Sequence, residues 1–259
     1  MKKLSVLIAT KNAEDTIEIA INSIKDIAYE IIVVDSGSTD NTVEIAKKLG
    51  AKVFFKEWIN SGTQYNYMIS LANGEYCFIL DSDEEVSKEL KKSIKEALEQ
   101  ENPADCYEIN RKTFYMGKFL NHVWQPEWRI RIFKKGKVQY EPKVHGKAIC
   151  SGNKEKLKGD LYHYSYKSLK HHIQKTVYFA EETSKLMYKN RKKFRFYNLI
   201  INPFIYFVKF FIIQKGFLDG YRGFIASIIG AFYGFLKYAL LFEKYQKEKY
   251  GENLWKRKE

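Results

Sequence analysis

The sequence predicts an α/β fold, a mixed and mainly parallel sheet with helices on both faces, followed by a C-terminal amphipathic helical region. Three observations predict it. Strand and helix signals alternate through residues 1–100, polar residues follow several apolar runs, and the stretch 197–242 is dominated by Ile, Phe, Leu and Tyr. Repeated β-α units of this length form parallel sheets covered by helices. A chain of 259 residues can bury a sizeable core.

The first two strands are predicted at residues 5–9 and 30–35. The second is an almost continuous β-branched run, which is typical of a strand buried on both faces. A helix between them is predicted from apolar residues that recur on one face, namely Ile17, Ala20, Ile21 and Ile24.

The next elements complete the pattern up to residue 80. Turn residues at 36–40 lead into a helix over 41–49, which Gly50 ends. A third strand is predicted at 52–55, a helix near 64–72, and a fourth strand at 75–80.

The pattern changes after residue 105. Short strands rich in Tyr, Phe, Trp, Val and Ile are predicted as far as Leu161, and the chain becomes helical from about Lys167. We therefore expect one domain over 1–165, with halves at 1–100 and 101–165, and a separate helical region over 166–259.

Three polar clusters fall at the carboxyl ends of predicted parallel strands: Thr10-Lys11, Asp35 with Ser36-Gly37, and Asp81-Ser82-Asp83. Ligands of such sheets bind at this edge. Two carboxylates two residues apart on a strand are expected to point the same way, and carboxylate oxygens suit Mg²⁺ or Mn²⁺. A divalent ion there favours a diphosphate substrate. Each aspartate also fits an ordinary turn or helix cap.

The composition predicts anionic partners, because Lys and Arg total 44 against 31 Asp and Glu, a net charge of +13. A solubilising surface explains the same excess. The three cysteines, Cys77, Cys106 and Cys150, are widely spaced and odd in number. We predict reduced thiols in a cytosolic protein, with neither a disulfide framework nor a zinc site.

The aromatic C-terminal region is predicted to lie in a membrane interface. Residues 199–213 are too short to span a bilayer and contain Asn202, Pro203 and Lys209, whereas 224–242 approach the ~20 residues that a span needs. Basic residues flank both sides, and each contributes roughly 1 kcal/mol of attraction to anionic lipid. A buried helical hairpin, a dimer face and a true span stay open, and so does a homo-oligomer formed through these helices.

Three segments resemble the nucleotide-sugar motifs of family 2 glycosyltransferases with the Rossmann-like GT-A fold. They are residues 6–12, 33–42 and 80–85. Residues 126–133, 144–147, 163–166 and 215–220 are similar to the branch that includes bacterial lipopolysaccharide core β-glucosyltransferases. The resemblance implies an inverting, metal-dependent hexosyltransferase that uses a nucleotide-diphosphate sugar, with UDP-sugar favoured.

The resemblance also implies roles for individual residues. Those implied to bind the donor are Thr10, Lys11, Asn12, Asp35 and Asp81. Asp83 is implied to hold Mg²⁺ or Mn²⁺ together with Asp81, and His145 is a further candidate ligand or diphosphate contact. His163 is a comparable candidate, and a structural role stays open for both histidines. We also assign Gln64 to the donor site from its position on the helix before the fourth strand.

The general base is the least defined residue. Related sequences often carry a glutamate directly after the histidine, where this chain has Gly146. Glu127 is the best remaining carboxylate, although it also fits a surface acid paired with Arg129 or Arg131. These two arginines alternate with isoleucines, so both are expected on one strand face, where they suit phosphate or simply solvent.

The predicted acceptor is a lipid-linked saccharide such as lipopolysaccharide inner core, at the inner face of the cytoplasmic membrane. A nucleotidyltransferase is the second enzymatic hypothesis, but residues 9–14 lack the glycine-rich loop typical of that class. A non-enzymatic protein that binds membranes or nucleic acid is the third. No nucleic-acid motif supports it, and we expect no nucleic-acid partner.

Overall fold

The computed structural model describes residues 1–142 and 147–254. The chain divides into two compact units. The first contains Met1–Thr113 and Pro126–Tyr164, and the second contains Phe114–Gln125 and the chain from Ser165 onward. The segment Phe114–Gln125 thus packs with the C-terminal helices, although it precedes the end of the first unit in sequence. The assignment of a catalytic domain to 1–165 stays a prediction.

Eleven strands are described: β1 (Leu4–Thr10), β2 (Glu30–Asp35), β3 (Lys52–Phe55), β4 (Tyr76–Asp81), β5 (Glu84–Val86), β6 (Cys106–Tyr115), β7 (Lys118–Phe119), β8 (Trp128–Lys134), β9 (Val138–Tyr140), β10 (Ala148–Cys150) and β11 (Lys154–His163). The main sheet has the order β3-β2-β1-β4-β8-β6-β11-β5. The pairs among β1 to β4 are parallel, whereas β8 is antiparallel to both of its neighbours. The predicted mixed sheet is confirmed.

Seven α-helices are described: α1 (Ile17–Ile24), α2 (Thr42–Lys48), α3 (Ser61–Leu71), α4 (Lys88–Glu99), α5 (Leu169–Lys189), α6 (Asn198–Phe207) and α7 (Gly220–Tyr250). Helix α4 was not predicted from the sequence. Its buried residues Leu90, Ile94, Ala97 and Leu98 nevertheless follow helical spacing, and the Ser87 side chain accepts the Leu90 N–H at its start.

Helices cover both faces of the sheet, as predicted. On one face, α1, α2 and α4 bury Ile21, Ala46 and Ile94 against alternate residues of β1, β2 and β4. On the other face, α3 buries Met68 against the intervening residues, such as Ile32. Because the central strands are buried on both sides, the polar residues at their carboxyl ends lie at the edge of the core.

A buried carboxylate fixes the opposite, amino-terminal edge of the sheet. Glu30 accepts hydrogen bonds from Ser5 Oγ (2.7 Å), from Asn73 N–H (2.6 Å) and from Lys52 Nζ (2.8 Å). Burial acts to raise the pKa of Glu30, but these donors outweigh it and lower the pKa to about 2. Glu30 therefore stabilises the junction between β1, β2 and β4 in its ionised form.

The prediction of three reduced thiols is wrong for two of them. Cys106 and Cys150 form a disulfide with their Cα atoms 6.7 Å apart. The bond ties the start of β6 to β10, which pairs with β9 in a separate two-stranded sheet. Spacing in the sequence gave no sign of it, because the two cysteines are 44 residues apart. Cys77 is free and buried, and burial raises the pKa of its thiol to about 12.

The second unit is helical and exposes many apolar side chains. Helix α6 has no buried residue, and a π-helical stretch, Val208–Ile213, continues it. Within the described part of the chain one helical segment, Gly216–Tyr250, is long and apolar enough to cross a membrane by length and composition.

A carboxylate anchors the start of α7. Asp219 accepts the backbone N–H groups of residues 121–123 at 2.9 to 3.0 Å, and Gln214 Oε1 accepts the Trp124 N–H. The segment Phe114–Gln125 is held in the second unit by these bonds.

Candidate functional site

Thr10 and Asp35 are neighbours at the carboxyl ends of β1 and β2, where they are paired in register. Each is only 5% exposed. Asp35 Oδ2 accepts the N–H groups of Gly37 and Ser38, and Oδ1 accepts the Ser38 hydroxyl. The Thr10 hydroxyl is buried without a partner among the described atoms. The two residues thus meet as predicted, and Asp35 also orders the turn that follows it.

The two residues after Thr10 differ in environment. Lys11 is exposed, so its ammonium group can reach an anion at this edge. Asn12 has a left-handed backbone (φ 51°); its side-chain oxygen accepts the Thr39 N–H, and its own N–H donates to Ser38 Oγ. These bonds fasten the loop after β1 to the loop after β2. The predicted donor contact of Asn12 is therefore accompanied by a structural role.

Gln64 lies in the first half of α3 and is 1% exposed. Its Nε2 donates to Ser36 Oγ at 3.1 Å, while its Oε1 is buried without a described partner. The helix begins at an Asn60 cap, which accepts the Thr63 N–H. Gln64 therefore lies at the same edge of the sheet as Asp35, and its side-chain oxygen Oε1 is available to accept a hydrogen bond from a ligand.

Asp81 is the last residue of a strand and Asp83 lies in the turn after it, and a shared direction of their carboxylates stays a prediction. Strand β4 ends at Asp81, and the chain turns before β5 begins at Glu84. Asp81 Oδ2 accepts Arg131 Nη2 at 2.8 Å, and Oδ1 accepts the Tyr65 hydroxyl at 3.0 Å. Burial acts to raise the pKa of Asp81, but the charge of Arg131 outweighs it and lowers the pKa. Arg131 and Tyr65 thus hold the Asp81 carboxylate, and its metal role stays a prediction.

Glu84 connects this pair to a longer row of alternating charges. Its side chain is fully buried; one oxygen accepts Arg131 Nη2 at 2.6 Å and lies 3.6 Å from Arg111 Nη1, and the other accepts the Asp81 N–H. Burial raises the pKa of Glu84. Arg131 is 6% exposed, and its Nε has no partner among the described atoms.

Glu127 ends the row of charges. Arg111 donates to it through Nε (2.9 Å) and Nη2 (2.8 Å), and Arg129 donates through Nη2 at 2.7 Å. Burial acts to raise the pKa of Glu127, but Arg111 and Arg129 lower it overall. The contacts of Glu127 therefore match the alternative prediction, in which it is an acid paired with Arg129. The catalytic role of Glu127 stays a prediction. Arg129 itself is exposed, unlike Arg131.

Asp83 has a different neighbour. His163, at the end of β11, places Nε2 at 3.5 Å from Asp83 Oδ2, and the Tyr164 N–H donates to the Asp83 carbonyl. A carboxylate and an imidazole fit a divalent ion, although within 1–142 and 147–254 no group of three or more His, Cys, Asp or Glu residues is arranged to hold one. The predicted ligand His145 lies outside the described residues.

Sequence reasoning did not assign Tyr65, Glu84 and Arg111 to the site. Glu84 follows Asp83 directly, so its position was the available signal. The sequence gave no signal for Arg111 or Tyr65, because each contacts a residue 16 positions away in sequence, Glu127 and Asp81 respectively.

The chain is similar to several known proteins. The model of the family described as Glycosyl transferase family 2 matches residues 5–157. An uncharacterized glycosyltransferase of Rickettsia typhi is 35% identical over 256 residues, which cover 94% of this chain and 88% of the relative. The lipopolysaccharide core biosynthesis glycosyltransferase LpsC of Rhizobium meliloti is 27% identical over 251 residues, 93% of each chain.

A solved structure of glucosyl-3-phosphoglycerate synthase from Mycobacterium tuberculosis, with Mn²⁺, UDP and phosphoglyceric acid, is 26% identical. The match covers 45% of this chain and 44% of that chain, with a TM-score of 0.37. The family model and the relatives confirm the predicted enzyme class and the resemblance. The chain belongs to glycosyl transferase family 2.

Proposed function

We propose that this glycosyltransferase moves a sugar, with inversion, from a nucleoside-diphosphate donor to a lipid-linked saccharide. The acceptor class follows from the name of the relative LpsC and from the similarity to the lipopolysaccharide core branch. Lipopolysaccharide inner core is the acceptor that we favour.

The observation that carries the donor proposal is a set of buried polar atoms without partners at one edge of the sheet. Within the described residues these atoms are Thr10 Oγ1, Gln64 Oε1 and Arg131 Nε. A buried polar atom left unsatisfied costs about 1–3 kcal/mol. A bound donor with carbonyl, hydroxyl and phosphate groups offers such atoms both donors and acceptors.

The same edge favours a uracil base. Asp35 Oδ2 already accepts two backbone N–H groups, whereas Oδ1 accepts only the Ser38 hydroxyl, so Oδ1 has the larger remaining acceptor capacity. One further acceptor position on Oδ1 matches the single N–H of uracil, whereas guanine presents two adjacent donors that need both oxygens. The Thr10 hydroxyl can donate to a base carbonyl. We therefore favour UDP-sugar over GDP-sugar.

Asp83 and His163 are the residues that we propose to hold Mg²⁺ or Mn²⁺. Such ions are commonly bound by one or two carboxylates together with substrate phosphates, so a small protein donor set is adequate. When bound, the ion neutralises the charge that develops on the leaving diphosphate. Asp81 instead positions Arg131, whose guanidinium is oriented by two carboxylates.

Glu127 is the proposed base for the acceptor hydroxyl. Arg111 and Arg129 keep its carboxylate deprotonated, which is the form that removes a proton, but they also reduce its basicity. Attack from the face opposite the leaving group then inverts the anomeric carbon and gives a β-linkage from an α-linked donor.

The proposed location is the inner face of the cytoplasmic membrane. Exposed apolar residues of α7 fall within a sector of about 80° on a helix of 3.6 residues per turn. They are Tyr221, Phe224, Ile228, Phe232, Phe235 and Phe242. Helix α6 and its continuation add Ile200, Phe204, Ile205, Ile212 and Ile213. The exposed basic residues Arg191, Lys192, Lys193 and Arg195 supply charge for anionic headgroups.

A donor screen by thermal shift tests the enzymatic proposal. We expect UDP-sugars with Mn²⁺ to raise the unfolding temperature more than GDP- or ADP-sugars do. Asp83→Asn should abolish the metal-dependent part of the shift, while Asp26→Asn, at an exposed ion pair with Lys91, should leave it intact. A metal-dependent shift that survives in Asp83→Asn would refute the proposed metal role.

Flotation with vesicles tests the location. We expect binding to vesicles of phosphatidylglycerol and phosphatidylethanolamine, and a loss of binding in the double variant Phe204→Asp and Ile213→Asp. Ile149→Asp is the matched control, because Ile149 is 58% exposed in the first unit. Equal flotation of all three proteins would contradict the interfacial surface.

A further inference from the structure

Thr10, Asp35 and Phe55 form one row across the ends of three strands. Thr10 pairs in register with Asp35, and Asp35 pairs in register with Phe55. Registered neighbours in adjacent strands point to the same face of a sheet. A hydroxyl, a carboxylate and an aromatic ring therefore follow each other on one face, at the edge where a ligand of such a sheet binds.

The three side chains differ sharply in exposure. Thr10 and Asp35 are each 5% exposed, whereas Phe55 is 70% exposed at the end of the edge strand β3. A phenyl ring at this position, beside two buried polar groups, leaves apolar area in water that a flat ligand can cover.

The backbone next to the Phe55 ring carries a glycine, Gly37, and so has no side chain there. Gly37, two residues after Asp35, has φ +90°, a conformation that side-chain-bearing residues rarely adopt. A Cβ at Gly37 would lie 3.9 Å from the Phe55 ring, in ordinary contact with it. Because residue 37 is a glycine, no side chain at this position covers the side of the Phe55 ring that faces the Asp35 turn.

We propose that Phe55 is the stacking platform for the nucleobase of the donor. The proposal rests on the proposed function, since it assumes that the nucleoside lies at Asp35. Phe55 contacts the face of the base, while Thr10 and Asp35 contact its edge. Stacking tolerates any base because every base has a π-face, so Phe55 contributes affinity and the two polar residues contribute the choice of base.

Titration calorimetry with UDP tests this assignment on the full chain. We expect Phe55→Ala to weaken UDP binding about 10-fold, from the usual effect of removing one stacked ring. Phe55→Tyr should restore binding to within about twofold, because it keeps the ring. Phe54→Ala is the matched control, because Phe54 is 37% exposed and lies one residue earlier, on the opposite face of the strand. Pyrophosphate, which has no base, should bind all four proteins equally.

The outcomes separate the two proposals. If the wild-type chain binds UDP and Phe55→Ala binds it equally well, the stacking platform is refuted and the proposed function stands. A loss of pyrophosphate binding in Phe55→Ala, equal to its loss of UDP binding, would also overturn the platform, because the damage would then be general. If the wild-type chain binds no nucleotide, the proposed function fails and the platform fails with it.

Discussion

Replacing Thr10 with valine should stabilise the ligand-free protein and weaken donor binding at the same time. The hydroxyl is buried and has no partner among the described atoms, so it carries a desolvation cost that no hydrogen bond offsets. Valine has nearly the same shape without the hydroxyl. From the usual cost of an unsatisfied buried group, about 1–3 kcal/mol, we expect a gain near the low end, about 1 kcal/mol. For a chain of this size that raises the unfolding temperature by about 2–4 °C.

Donor binding should change in the opposite direction. One neutral hydrogen bond contributes about 0.5–1.5 kcal/mol, so Thr10→Val should weaken UDP binding by roughly 2- to 12-fold. Urea unfolding gives the stability, and calorimetric titration with UDP gives the affinity. The two measurements together distinguish a ligand-binding hydroxyl from one that merely fills space.

Thr42 provides a matched control in the same unit. It is also fully buried, but its hydroxyl accepts the Ala13 N–H at 2.7 Å and donates to Asp40. Thr42→Val should therefore destabilise the protein by about 1–3 kcal/mol. If Thr10→Val is destabilised to a similar extent, or if its UDP affinity equals that of the wild type, the argument from the unpartnered hydroxyl is wrong.

The contacts of other residues support three further predictions. Arg129→Gln should raise the pKa of Glu127 and move the acid limb of the pH–rate profile to higher pH, and an unmoved limb would show that another group titrates. Because the pKa of Glu30 is lowered to about 2, its contribution, about 3 kcal/mol, should be present above pH 4.5 and be lost as the pH falls toward 2. Acid titrations of stability should be flatter in Glu30→Gln, and identical curves would contradict this. A reductant should lower the unfolding temperature of the wild type, because the disulfide contributes up to about 4 kcal/mol of stability. The double variant Cys106→Ser with Cys150→Ser should show no such change. Two thiols released on reduction would confirm the bond, and an equal change in both proteins would contradict it.

The sequence predicted the positions of candidate site residues correctly where these depend only on the length of a single strand. The apolar runs that became β1, β2 and β4 are buried on both faces, so their lengths determine where the polar residues begin. Parallel pairing then brings Thr10 beside Asp35, a relation that follows from strand order and direction alone. These features were accordingly predicted before any distance was known.

Side-chain partners from distant segments were beyond such reasoning. Asp81 and Arg131 are 50 residues apart, and their pairing depends on β8 lying antiparallel to β4, which no local pattern reports. The turn after β4 was missed for a related reason, because period-2 alternation assumes that the strand continues through Asp83. The disulfide between Cys106 and Cys150 likewise requires the position of a separate hairpin.

The pairing of Asp81 divides the acidic motif into two parts with separable effects. Asp81 is held by Arg131 and Tyr65, so its loss would leave a buried guanidinium with Glu84 as its remaining carboxylate partner among the described contacts. Breaking a buried ion pair in this way commonly costs about 3–5 kcal/mol. Asp83 is about one third exposed and contacts His163, so its loss should spare the fold. The first aspartate of the motif is therefore expected to matter through the position of Arg131, and the second through the ion and the diphosphate.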